Sequence, residues 1–202
     1  MTKIDQLESK DHSDAAALIG ASHVFRRKGF AAATTREIAA AAGMLPGSLH
    51  YRYASKEQLL LALMERGIAR ATTSLRDAIS KTNDPIERLR AGVRSHLRLL
   101  LDEDEAIYVL LYEGRGLSGD ARAEMVRLRD QYDAIWDGVL YAAAGTGRLR
   151  PDVDLRLLRL LLLGAVNWTA QWFSPNGTYS ADEVADSYAD IVLNGVLAEK
   201  GR

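Results

Sequence analysis

Six cationic side chains crowd the stretch from Ser22 to Leu60: Arg26, Arg27, Lys28, Arg36, Arg52 and Lys56. Only Glu37 and Glu57 oppose them, so this stretch carries +4 while the whole 202-residue chain carries -1, and the remainder must hold -5. A small basic unit on an otherwise acidic chain is the electrostatic footprint of binding to a phosphate backbone. Reaction chemistry has less to work with. His12, His23, His50 and His96 are scattered without metal-ligand spacing, and cysteine is absent. Neither a glycine-rich phosphate loop nor a nucleophile-base motif occurs. An enzyme is therefore a poor fit, and no cofactor or metal site is expected.

Helices must position these cations, because apolar residues recur at helical spacing and no alternating apolar-polar run appears. A first helix reads from about Asp14 to Lys28, with Leu18, Ala21, Val24 and Phe25 on one stripe and Gly29 able to stop it. Thr34-Thr35-Arg36-Glu37 is a capping box opening a second helix. Ile38, Ala39 and Ala42 face inward there, and Gly43 ends it. Pro46, at a favoured first helical position, opens a short third helix that buries Leu49 and Tyr53. Ser55-Lys56-Glu57-Gln58 is a second capping box, leading a long helix to about Ser80. Asp84 caps a helix to about Leu101, followed by helices over Glu105 to Tyr112 and Asp120 to Ala144. Pro151 to Asp154 opens an apolar helix to Phe173, and the box Ser180 to Glu183 opens the last, to about Leu197. Nine helices make the fold class all-α.

The second helix, a tight turn at Gly43-Met44 and the third helix form a helix-turn-helix. On pattern alone, a plain three-helix packing unit with solvated charges stays open. The stretches Phe25-Arg26-Arg27-Lys28-Gly29-Phe30, Thr34-Thr35-Arg36-Glu37-Ile38-Ala39, Ala41-Ala42-Gly43, Gly47-Ser48-Leu49 and Tyr53-Ala54-Ser55-Lys56-Glu57-Gln58-Leu59-Leu60 resemble the N-terminal domain of the TetR family of bacterial transcriptional regulators. The resemblance implies a three-helix DNA-binding domain at 12–54 and a six-helix ligand-binding and dimerisation domain at 55–202. It also implies that Thr35, Ser48, His50, Tyr51 and Lys56 touch phosphates or base edges, and that Arg36 lies near a backbone phosphate. Gly47, without a side chain, lets the third helix approach the DNA closely. Four positions depart from the family pattern: Leu45, where Ser or Thr is usual, Pro46, His50 and Arg52. Leu45 and Pro46 can meet thymine methyls, or Leu45 can pack in the turn. Arg52 can read guanine or point to solvent.

In the body, Leu155, Leu157, Leu158 and Leu160 to Leu163 nearly surround the start of the eighth helix. Such a helix must be buried on most sides, and pairing of the last two helices with their symmetry mates in a homodimer would do so. Polar groups on apolar faces mark an effector pocket: His96, Tyr112, Arg115, Asn167 and Gln171, with Tyr108, Trp136, Trp168 and Trp172 as aromatic candidates that could equally be core. Gly147 to Asp154 and Trp172 to Gly177 resemble a subgroup of TetR regulators controlling lipid, steroid-ring or aromatic-acid breakdown, several of which sense acyl-CoA thioesters. Gln171 stands where that subgroup can carry Arg. The resemblance thus implies a homodimeric repressor that binds a palindromic double-stranded operator and is released by an acyl-CoA or other hydrophobic metabolite. The alternatives are an activator, or an efflux-type regulator sensing a lipophilic drug. The polar N-terminus, the lack of cysteine and apolar runs too short to span a bilayer, Leu160 to Val166 among them, suit a cytoplasmic protein that does not enter membranes.

Overall fold

The computed structural model describes residues 3–101 and 105–198, with side chains from Ser13 onward. Its elements are α1 (Lys3–Ala32), α2 (Thr35–Ala41), α3 (Pro46–Arg52), α4 (Lys56–Ser80), α5 (Pro85–Leu101), α6 (Glu105–Tyr112), α7 (Gly119–Gly145), α8 (Leu155–Trp172) and α9 (Ala181–Val196), with a 3-10 turn at Gly114–Gly116. Among the described residues no strand forms. One isolated bridge joins Leu149 to Leu197, flanked by Arg150 N–H to Val196 O at 2.9 Å and Ala198 N–H to Arg148 O at 2.8 Å.

The chain folds as two compact units, Met1–Ile68 with Asp104–Leu128, and Ala69–Glu103 with Arg129–Arg202. In the first, Phe25, Ile38, Leu49, Leu59, Leu63 and Met64 form the core. In the second, Leu75, Leu89, Leu97, Trp136 and Leu140 do so.

Local chemistry sets the helix ends. The expected box at α2 is complete: Glu37 N–H donates to Thr34 Oγ1 at 3.3 Å, and Thr34 N–H donates to Glu37 Oε2 at 3.1 Å. Ser180 and Glu183 close the same box at α9. The box at α4 differs. Ser55 Oγ takes the Gln58 N–H at 3.0 Å, but Gln58 Oε1 reaches back to Ala54 N–H, not to Ser55. Glu57 turns instead to Ser118, accepting its N–H at 2.6 Å.

Gly29 does break α1, yet at φ 74 and ψ 160 it lies outside the left-handed helical well, and helical bonding resumes as Ala33 N–H reaches Gly29 O. The chain therefore bends there and runs on to Ala32, beyond the expected end at Lys28. Gly43, at φ 65, makes the turn after α2, and the next amide, Met44 N–H, closes on Ala39 O at 2.8 Å. That six-to-one bond satisfies an otherwise orphaned helix carbonyl. α1 and the end of α2 touch through Gly20, where a Cβ would fall 2.7 Å from Ala42 N. This close approach seats the turn against the first helix.

Candidate nucleic-acid interface and interior polar cluster

α3 buries a single side chain, Leu49, while Arg52 and Tyr53 at its end are half-buried. The expected burial of Tyr53 is thus only partial, which still raises its phenol pKa, by desolvation first and the nearby Asp14 second. Every other candidate on this surface faces outward: Thr35, Arg36, Leu45, Pro46, Gly47, Ser48, His50 and Tyr51 are exposed. Leu45 is 76% and Tyr51 92% exposed. Leu45 therefore does not pack in the turn. It precedes Pro46 in extended backbone and offers no side-chain cap to α3. A Cβ added at Gly47 would meet nothing within 4 Å, so the space above it is open.

The cations do not share one fate. Arg52 is drawn back towards its own domain, because its Nη1 donates to Asp14 Oδ1 on α1 at 2.6 Å. Lys56 spends its ammonium protons on the carbonyls of Phe30, Ala31 and Ala33, at 2.6, 3.2 and 2.8 Å, and lies 4.5 Å over the Phe30 ring. An ammonium has three N–H donors, so Lys56 ties the end of α1 to the start of α4 and keeps no donor for a phosphate. Lys28 pairs with Glu37. The Lys28 ammonium, and then the Thr34 hydroxyl and amide, hold the Glu37 carboxyl down at about 2. Arg26 lies 4.5 Å over the Tyr108 ring and 3.6 Å from Glu105. Arg27 and Arg36 remain as exposed cations with no described ion-pair partner. Arg27 belongs to the basic stretch noted in the sequence but stood outside the expected contact residues, because its type alone does not say which face of α1 it occupies.

The nine pocket candidates divide into three groups. Tyr108 and Tyr112 meet as tilted rings in the first unit with centroids 4.6 Å apart, and Arg115 is exposed in the 3-10 turn. In the second unit His96, Trp136 and Asn167 come together around Tyr132, which is not among the nine. His96 Nε2 lies 2.9 Å from Asn167 Oδ1, and Nδ1 lies 2.7 Å from the Tyr132 hydroxyl. Because Oδ1 only accepts, Nε2 carries the proton and Nδ1 accepts from Tyr132. Burial pushes the His96 pKa down and that of Tyr132 up. The edge of Trp136 meets the His96 ring at 6.1 Å. Trp136 is fully buried, and its indole N–H interacts with the Tyr132 hydroxyl, which tempers the rise in that phenol's pKa, without the alignment of a strict hydrogen bond. Trp168, Gln171 and Trp172 instead lie exposed on α8.

α8 has a second exposed feature. Leu157, Leu160, Leu161, Trp168 and Trp172 are each more than half exposed, and steps of three, four and seven residues set them on one side of the helix. They form an apolar stripe along one face. The all-round burial expected from the run of leucines does not occur within one chain: only Leu162, Val166 and Thr169 of this helix are fully buried. Arg159 on the opposite side bridges Asp133 and Asp137 of α7.

Known proteins share this architecture. A family model described as bacterial regulatory proteins, tetR family, matches residues 18–63. A second, the tetracyclin repressor-like C-terminal domain, matches residues 82–196. The chain is 28% identical over 180 residues to the HTH-type transcriptional repressor KstR2 of Mycobacterium tuberculosis, covering 89% of this chain and 90% of that protein. The structure of AibR in complex with isovaleryl coenzyme A and operator DNA aligns with a TM-score of 0.82 at 28% identity, covering 89% of this chain and 97% of AibR. The structure of superantigen PfiT aligns with a TM-score of 0.77 at 34% identity, covering 93% and 97%. No described helix is long and apolar enough to cross a membrane.

Proposed function

Because the chain belongs to the TetR family of bacterial regulatory proteins, we propose that it is a homodimeric, cytoplasmic repressor that leaves a palindromic operator when it binds an acyl-coenzyme A or a similar hydrophobic metabolite. Residues 12–54 read the DNA, and residues 55–202 bind the effector and the second subunit. The observation that carries this reading is the outward face around α3, where Leu45, Pro46, Gly47, Ser48, His50 and Tyr51 are exposed while Leu49 anchors the helix from behind. Tyr51, Ser48 and Thr35 bring hydroxyls to phosphate oxygens, Arg36 and Arg27 bring charge, and Leu45 and Pro46 bring apolar contact to thymine methyls. The exposed stripe of α8 is covered by a second copy. Two-fold symmetry then sets the recognition helices about 34 Å apart, one DNA turn.

The acyl-thioester class is supported by the likeness to AibR, which was solved with isovaleryl coenzyme A. The effector acts by favouring one conformation of the second unit over another, and α4, which contributes residues to both units, carries the difference. Fluorescence anisotropy with labelled genomic DNA tests the first claim. Affinity should fall steeply with salt, by a log-log slope of about -0.9 per phosphate contacted. Negligible binding to every fragment at low salt would reject a DNA-binding role. Isovaleryl and longer acyl-coenzyme A thioesters should raise the melting temperature and release the DNA. No response to any of them would reject the effector class.

A further inference from the structure

An open groove of about 890 Å3 runs between the second half of α4 and α5. Five cations line it, Arg70, Lys81, Arg90, Arg94 and Arg98, against two carboxylates, Asp77 and Glu87. Arg90, Arg94 and Arg98 are four residues apart along α5, so they form a row with steps of about 6 Å and a span of about 12 Å. A row of that length suits a ligand with more than one phosphate group. Guanidinium groups match phosphate oxygens in paired hydrogen bonds.

The row is already engaged, at the surface. Asp190, Asp186 and Asp182 of α9 run antiparallel to it and pair with Arg90, Arg94 and Arg98 in turn. The outermost pair, Arg98 with Asp182, has side chains 61% and 62% exposed. Exposed ion pairs of this kind are weak and exchange readily. In the middle pair, Arg94 meets Asp186 directly through its Nε, and both side chains stay partly exposed to solvent. We infer that this groove takes the phosphate-bearing end of the coenzyme A thioester, whose phosphates displace the α9 aspartates from the α5 arginines. The inference rests on the acyl-thioester reading above and adds where the charged end is held. It also makes α9 the element that responds, because each exchanged pair removes a tie between α5 and α9.

Arg94→Gln and Asp186→Asn break the same ion pair, so a purely structural role predicts the same direction of change from both. Displacement predicts opposite directions. Calorimetric titration of the full-length dimer with coenzyme A should give about tenfold weaker binding in Arg94→Gln and tighter binding in Asp186→Asn. Isovaleryl-pantetheine, which lacks the nucleotide phosphates, should bind all three proteins alike. Shifts in the same direction, or no shift in either variant, overturn the proposal. If Arg94→Gln does not fold, the Asp186→Asn titration decides alone, and unchanged or weaker binding there counts against displacement. Affinity for ATP equal to that for coenzyme A would overturn the assignment to the thioester. If coenzyme A responds oppositely in the two variants while its thioesters leave DNA binding unchanged, the groove stands and the effector reading falls. If thioesters release DNA equally well from both variants, the effector reading stands and the groove falls.

Discussion

Gly47 separates binding from folding at a single atom. Its open surroundings mean that Gly47→Ala adds a methyl the protein can accommodate, and Ala is favoured over Gly in helices by up to about 1 kcal/mol. The variant should melt no lower than the parent, yet bind operator about tenfold or more weakly, because the methyl occupies the space a phosphate needs. Normal affinity in an anisotropy titration would remove Gly47 from the contact surface. His96 gives a residue-scale prediction of another kind. Its folded pKa lies below the ordinary 6.5, so the folded state binds fewer protons than the unfolded state as pH drops. Stability from this site is intact well above 6.5 and is lost progressively as pH falls below it. Thermal melts at successively lower pH should show this decline in the parent, and His96→Gln should flatten it. An equally steep decline in the variant would assign the loss to other groups.

At the scale of the element, α2 depends on its N-terminal box. Thr34→Ala should cost about 0.5–2 kcal/mol, read by chemical denaturation. Glu37, whose pKa falls from 4.5 to about 2 in the folded state, contributes stability present above 4.5 and lost as pH falls towards 2. Glu37→Gln should therefore be less sensitive to acid across that window, and an unchanged acid transition would contradict the Lys28 and Thr34 contacts. These helix starts were legible in the sequence because cap and return partner lie three residues apart, as at Thr34 and Glu37 or Ser180 and Glu183. The assignments for Arg52 and Lys56 were not, because their partners, Asp14 and the Phe30 carbonyl, lie 38 and 26 residues away. Nothing local distinguishes a lysine facing DNA from one closing the end of another helix. The α5–α9 ladder lay between these cases. Each helix displays its charges four apart, but that the two rows face each other follows only from the packing of the second unit.

At the scale of the whole molecule, the exposed stripe of α8 and the operator are linked. Leu161→Glu with Trp168→Glu places charge on two of its most exposed apolar positions. The pair should yield a monomer by sedimentation, and operator affinity should fall to that of one half-site. A dimer that persists in the double variant would move the interface elsewhere. The nine helices among the described residues could be read ahead of the structure, since helical period, caps and turn glycines are local. The pocket candidates scattered because apolar spacing says which face of a helix is covered, not by which neighbour, so Tyr108 and Trp136 looked alike until the units separated them. One last consequence follows from how α3 is seated. It rests on its own protein through one fully buried side chain, Leu49. The exposed neighbours have no packing to satisfy, so descendants of this gene can exchange Leu45, Pro46, Ser48, His50 and Tyr51 while the fold beneath stays the same.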